Sequence, residues 1–223
     1  MIKVEKMSYQ VPKGHQVFKD VNFEAEPGHF YGVLGKNGAG KTTLIDLLMG
    51  IRRSSAGKVL VLNEDPMQSE RNNKSKIFTL SHDISIQQSH RIKDYFDFTS
   101  YFYPHYSKKD ERRFLELFNL DADSKFGSLS SGQKAKAQMV AALSSNTPLL
   151  LIDEITAVLD PESRFYFFEI LKEIRQYRNK TVLLATNIIE DLETSVDKIL
   201  FIQDQKIETH QPRSIFEMFK KSA

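Results

Sequence analysis

Gly35-Lys36-Asn37-Gly38-Ala39-Gly40-Lys41-Thr42 is a complete Gly-x-x-x-x-Gly-Lys-[Ser/Thr] loop, set between an apolar strand-like stretch at residues 30–34 and a helix-like one at residues 44–49. The spacing has a physical purpose. Gly35, Gly38 and Gly40 let the backbone turn successive N–H groups onto phosphates, with Lys36, Asn37 and Ala39 completing the cradle. Lys41 reaches the outer phosphates, and Thr42, followed by Thr43, offers a hydroxyl to Mg²⁺. A helix beginning near Gly40 aims its positive end at the same anion. A chance glycine-rich turn would not need a strand before it and a helix after it. The loop is read as a nucleoside triphosphate site.

Working outward, the first stretch alternates like strands, with Ile2, Val4, Val17, Val21 and Phe23 among polar residues and turns at Pro12-Lys13-Gly14 and Pro27-Gly28. It reads as an antiparallel β layer feeding the phosphate-loop strand. Residues 57–62 form a further strand, Asn63 tolerates the left-handed turn after it, and residues 77–80 form another strand. Helical periodicity with many aromatics then runs over residues 92–119. An α/β texture returns at Pro148, where Leu149-Leu150-Leu151-Ile152 is continuously apolar, as in a strand buried on both faces. Residues 163–178 carry Phe167, Ile170, Leu171 and Ile174 at helical spacing, and residues 181–185 are a second buried strand. Strand, helix, strand implies parallel crossovers. The expected organisation is one α/β domain, with residues 1–81 and 146–223 as its core and 82–145 as an inserted helical subdomain.

Asp153-Glu154 ends the buried strand, and an open α/β sheet gathers its ligand groups at that carboxyl edge. Asp153 is placed to share the Mg²⁺ shell with Thr42. Glu154, one residue on, is placed to orient or deprotonate an attacking water. Without the phosphate loop, the same pair would be a helix cap or a solvated turn.

Leu129-Ser130-Ser131-Gly132-Gln133 lies 20 residues before Asp153 and resembles the Leu-Ser-Gly-Gly-Gln signature of ABC-type ATPases. Tyr9 resembles the aromatic that stacks on adenine in that family. Asp160, in Ala157-Val158-Leu159-Asp160, resembles its D-loop carboxylate, and Asn187 falls where its switch histidine is expected. The resemblance covers essentially the whole chain. It implies a RecA-like core with a helical subdomain, working as a head-to-tail dimer, either a homodimer or a heterodimer with another ABC ATPase. Two ATP molecules are then sandwiched, each between one subunit's phosphate loop and the other's Ser130, Ser131, Gly132 and Gln133. Physical reasoning supports this geometry, because Ser130 and the N–H groups of Ser131 and Gly132 open a helix whose positive end suits an anion. By itself, Ser130 is simply an N-cap, Tyr9 a packing residue and Asp160 a turn carboxylate before Pro161.

Three departures from the family pattern bear on activity. Asn187 can donate an amide hydrogen bond but cannot become cationic or handle a proton as histidine does. His82 stands where relatives place a glutamine that touches Mg²⁺, and a neutral imidazole is able to replace that contact. Ser131 replaces the first signature glycine, and its Cβ crowds the phosphate if that position needs a positive φ. Glu154 and Lys41 are intact. ATP hydrolysis is therefore expected to survive, more slowly in the isolated subunit than in a complex.

Composition excludes several classes. With 31 Lys+Arg against 29 Asp+Glu, the net charge of +2 gives no reason to expect nucleic acid or an anionic membrane surface as a partner. The chain has no cysteine, so no disulfide, thiolate metal site or cysteine nucleophile is available. No stretch approaches the roughly 18 apolar residues of a spanning helix. Seven aromatics from Tyr95 to Tyr106 exceed what one inward helix face holds, so they are divided between core packing and a cleft for a membrane subunit's cytoplasmic helix. The resemblance thus implies a cytoplasmic ATPase, peripheral on the membrane through a separately encoded transmembrane subunit. Its 103–120 region looks like small antibiotic-resistance and peptide-export ATPases, and no C-terminal regulatory domain is expected. The alternatives are a catalytically weak regulatory subunit, suggested by Asn187 and His82, and a non-transport ABC ATPase. The second would need fused cassettes or a long coiled coil that the sequence lacks.

Overall fold

Alternation at the N-terminus becomes two strands, β1 (Ile2–Gln10) and β2 (Gln16–Ala25), which bury Ile2, Val4, Met7, Val21 and Phe23 on one side. The computed structural model describes residues 1–12, 14–81, 86–177 and 180–222. A third strand, β4 (Ala56–Val61), pairs antiparallel with β1, giving the order β2-β1-β4. The strand that follows the phosphate loop in sequence therefore returns to the N-terminal layer. Leu62 and Asn63 make the turn after it with φ of 54° and 66°.

The second sheet has the order β5-β6-β7-β3-β8-β9. Its members β3 (Phe30–Gly35), β5 (Ile77–Ser81), β6 (Leu149–Asp153), β7 (Thr181–Ala185) and β8 (Lys198–Gln203) run parallel, and β9 (Lys206–His210) closes the edge antiparallel to β8. Every residue of β3, β6 and β7 is buried, which is why these stretches read as continuous rather than alternating apolar runs. Register then fixes the site. Val33, Ala185, Asp153 and Ser81 lie in one row across the sheet, so the segments that follow β3, β6 and β7 emerge together at its carboxyl edge.

Eight helices are present among the described residues: α1 (Lys41–Leu48), α2 (Arg71–Lys74), α3 (Ile92–Phe102), α4 (Lys108–Leu117), α5 (Ser131–Ser144), α6 (Pro161–Tyr177), α7 (Glu190–Glu193) and α8 (Pro212–Ser222). The helical stretch expected at residues 92–119 is two helices. Tyr103, before Pro104, is held extended at φ −114° and ψ 100°, as the proline ring demands of its predecessor. Ser107 then restarts the chain as α4, its Oγ accepting from the Asp110 N–H at 3.1 Å.

Two apolar cores flank the parallel sheet. One joins the antiparallel layer and α1 to the sheet through residues such as Phe18, Tyr31, Leu44 and Leu151. The other joins α3, α4, α5 and α6 to the opposite face through Phe96, Phe114, Val140, Ile152 and Phe167. The inserted helices thus share a core with the sheet. Their aromatics do not all face inward: Phe96 is fully buried and Tyr95 and Tyr103 pack against this core, whereas Phe98 and Tyr101 are 66% and 73% exposed. Among the described residues, no helix is long and apolar enough to cross a membrane.

Candidate nucleotide site

The phosphate loop is shaped by two left-handed glycines. Gly38 has φ +79°, with open space around the position a Cβ would take. Gly40 has φ +108°, and a Cβ there would stand 2.7 Å from Val17 Cγ1. Gly40 is also the N-cap of α1, which has no side-chain cap, so the N–H groups opening this helix have no side-chain acceptor at the cap. Gly35 differs from the expectation that all three glycines turn the loop. It ends β3 with an ordinary φ and is small because Ala39 Cβ and the Ile202 carbonyl stand 3.1 Å from its would-be Cβ.

Lys41 is 4% exposed, and its Nζ donates to the Gly35 carbonyl at 3.0 Å. The same ammonium lies 3.1 Å from Glu154 Oε1. Glu154 sits at φ 50° and ψ 21°, a left-handed conformation for a non-glycine residue, and its N–H is fixed on the Ala185 carbonyl at 2.9 Å. Such backbone costs of order 1 kcal/mol and persists where its surroundings over-determine it. It swings the carboxylate from the end of β6 onto the phosphate loop, a placement that no local sequence signal marks.

Asp153 is buried at the end of β6 and Thr42 is exposed at the start of α1. Each offers a hard oxygen of the kind Mg²⁺ takes. No group of three or more His, Asp or Glu among the described residues forms a cage for an ion. His82 lies outside the described residues. Asn187 is exposed and lines a cleft of 730 Å³ with Gly35, Asn37, Gly38 and Phe201, so it does face the phosphate loop. Lys36 is exposed, while Ala39 and Thr43 are half-buried.

Tyr9 is not presented as a stacking platform. It is 5% exposed within the core, and its hydroxyl accepts from Arg52 Nη1 at 3.1 Å. The packing reading of Tyr9 is the one its surroundings describe. Asp160 likewise has work within its own chain. Its Oδ1 caps α6 by accepting from the Ser163 N–H at 2.9 Å, and its Oδ2 pairs with Lys136 Nζ of α5 at 2.9 Å. These contacts, Lys136 foremost, hold its carboxyl well below the usual range.

Ser130 and Gln133 cap α5 reciprocally, the Gln133 N–H donating to Ser130 Oγ at 3.2 Å and the Ser130 N–H to Gln133 Oε1 at 3.0 Å. Ser130, Ser131 and Gln133 are exposed. Ser131 is the first residue of α5 and has no positive φ, so its Cβ brings no backbone strain. Gly132 is small for a local reason: its would-be Cβ stands 3.2 Å from the Val158 carbonyl, in the 3-10 turn Ile155–Val158 that follows Glu154. These residues therefore lie at the surface, with polar contacts among themselves and Gly132 against the turn that follows Glu154.

A phosphate loop after the third strand, acidic residues at the end of β6 two strands away in the same parallel sheet, and a signature-like helix start define an α/β nucleotide-triphosphatase. The family model described as "ABC transporter" matches residues 18–157, and the chain belongs to that family as one of its ATPases. It is 30% identical over 207 residues to a Nod factor export ATP-binding protein I of Burkholderia thailandensis, covering 90% of this chain and 68% of that protein. A solved ATP-binding subunit of an ABC transporter superposes with a TM-score of 0.87 at 21% identity, covering 99% of this chain and 93% of the other. A dimeric ATP-binding cassette described in a post-hydrolysis state bound to ADP and Pi superposes at 0.81, with 21% identity and coverage of 96% and 99%.

Proposed function

We propose that the chain hydrolyses ATP at the Lys41–Glu154 cluster and, as one of two ATPase subunits in a homodimer or heterodimer, drives a membrane exporter from the cytoplasmic face. The observation that carries this reading is the 3.1 Å contact between a buried phosphate-loop lysine and a carboxylate held in strained backbone. A triphosphate drawn to Lys41 competes with Glu154 for the ammonium. As the phosphates seat, the carboxylate is released to orient or deprotonate water. Asn187, facing the loop across the cleft, donates an amide hydrogen bond toward the terminal phosphate. Thr42 and Asp153 would hold Mg²⁺, which supplies positive charge to the phosphate oxygens. Ser130, Ser131, Gly132 and Gln133 complete the site of the opposite subunit.

For the membrane partner, the groove lined by Arg71, Phe78, Phe98, Phe102 and Tyr103 supports the seating of an amphipathic cytoplasmic helix. Export is the direction suggested by the relative named for Nod factor export. A peptide or toxin-like cargo rests only on the resemblance of residues 103–120.

Glu154→Gln tests the catalytic reading. Mg-ATP turnover by the full chain is expected to fall about 10²- to 10⁴-fold, the range for loss of a general base, while nucleotide binding is retained. Equal rates for variant and parent would remove Glu154 from the role.

A further inference from the structure

We infer that Asp191, a buried carboxylate outside every motif of the nucleotide site, is the positioning residue that holds the Glu154 turn and the Asn187 loop in one arrangement for hydrolysis. This inference rests on the proposed roles of Glu154 and Asn187. Asp191 opens no path to solvent, with its side chain 1% exposed. Its two oxygens accept from three separate segments. Oδ2 takes the hydroxyl of Thr156, two residues after Glu154, at 2.7 Å, and the hydroxyl of Thr186, the residue before Asn187, at 3.2 Å. Oδ1 takes the Arg164 guanidinium through Nε at 2.7 Å and also through Nη2. Arg164 in turn stands in the first turn of α6, its N–H on the Asp160 carbonyl at 3.0 Å.

The chemistry of each link is directional. Thr186 Oγ1 accepts from the Ile188 N–H at 3.0 Å while donating to Asp191, so one hydroxyl folds the chain around Asn187 and ties that fold to the carboxylate. Thr156 is 1% exposed and donates in the same way from the turn that begins at Glu154. An ionised carboxylate is the one side chain able to accept from both hydroxyls and from both guanidinium nitrogens at once. An amide in its place loses that capacity, because its NH₂ group donates. Among the described residues, the hydrogen bonds of Asp191 run to Thr156, Arg164, Thr186 and the Ile188 carbonyl, none of them in the phosphate loop. Its effect should therefore fall on the chemical step and leave nucleotide binding alone.

The experiment compares Asp191→Asn and Asp191→Glu with the parent chain, measuring kcat and KM for Mg-ATP and, separately, equilibrium affinity for a fluorescent ATP analogue. Misplacing reacting groups by a fraction of an ångström to an ångström costs up to about 100-fold, so Asp191→Asn is expected to lower kcat about 10- to 100-fold with KM and analogue affinity unchanged. Asp191→Glu, which keeps the charge, should recover part of that loss. In a cycle with Asn187→Ala, the two losses should be less than multiplicative because both act through the same loop. Unchanged kcat, or a rise in KM matching the fall in kcat, overturns the inference. If Asp191→Asn does not fold, Thr156→Val and Thr186→Val each remove one link: a selective fall in kcat from either supports the positioning role, and unchanged kcat in both overturns it. Glu154→Gln run alongside separates the two readings. Its failure to slow turnover sinks the catalytic assignment, whereas loss of turnover there with no effect at Asp191 sinks only the positioning role.

Discussion

The first turns of helices α1 and α5 are finished in opposite ways. At α1 the N-cap is Gly40, in left-handed backbone and with no side chain to offer. At α5 the N-cap is Ser130, whose hydroxyl and backbone are closed into a reciprocal pair with Gln133. An open start leaves donors for an anion but forgoes the stabilisation of a cap. A capped start is stable alone and offers the anion chiefly the remaining N–H groups and a serine hydroxyl. Under the function proposed above, this difference corresponds to an unequal division of labour: the α1 end binds the triphosphate in one chain, and the α5 end meets it when a second chain arrives.

Gly40→Ala is the most damaging way to break this contrast. The left-handed φ of +108° is rarely adopted by L side chains, and the new Cβ would meet Val17 Cγ1 at 2.7 Å. We expect nucleotide affinity to fall about 100-fold, in line with displacement of groups that must be placed to within an ångström. Strain and overpacking should also cost about 1–3 kcal/mol of unfolding free energy in urea titrations. An alanine accommodated with full affinity would show that the α1 end does not depend on its open geometry.

Much of this contrast is legible in the amino-acid sequence. The loop from Gly35 to Thr42 carries its own spacing, and the continuous apolar runs at β3, β6 and β7 mark strands buried on both faces. What stays hidden depends on distant neighbours. Nothing local marks Glu154 as left-handed, because its conformation is fixed by the Ala185 carbonyl on another strand. Tyr9 has a plausible position in sequence, but only tertiary packing shows its ring buried and its hydroxyl taken by Arg52. Strands β8 and β9 are not among the expected elements, although Ile199, Leu200 and Ile202 form an apolar run that signals the first of them. Asp191 belongs to no motif, and its importance exists only where Thr156, Arg164 and Thr186 converge in space.

Ser130→Ala sharpens the comparison from the other side. Removing the hydroxyl opens the cap of α5 and should cost about 1 kcal/mol of stability. Nucleotide affinity of the single chain should not change, since the α1 end is untouched. ATP hydrolysis should fall only at protein concentrations or in complexes where two ATPase subunits associate. A loss of affinity in the monomer would place Ser130 in its own chain's site and contradict the division of labour.

The smallest effect concerns the tie between α5 and α6, where the Asp160 carboxyl is held below its ordinary range first by Lys136 and then by the Ser163 N–H and hydroxyl. A depressed folded value means that the charged form favours the native state. Its contribution is complete above the unfolded carboxyl pKa of about 3.9 and is lost as pH falls toward the folded value. Asp160→Asn keeps an N-cap able to accept from Ser163 and removes only the charge, so it isolates this contribution. The side chain is 47% exposed, and solvent screening limits the gain to under about 1 kcal/mol. Unfolding free energies of parent and variant should therefore differ by a constant, salt-sensitive amount between pH 5 and pH 8, as expected well above about 3.9, and converge as pH falls below about 4. A gap that persists in acid would mean that Asp160 acts through cap geometry. In that case the charge on Lys136 does not help to hold the capped start of α5 against α6.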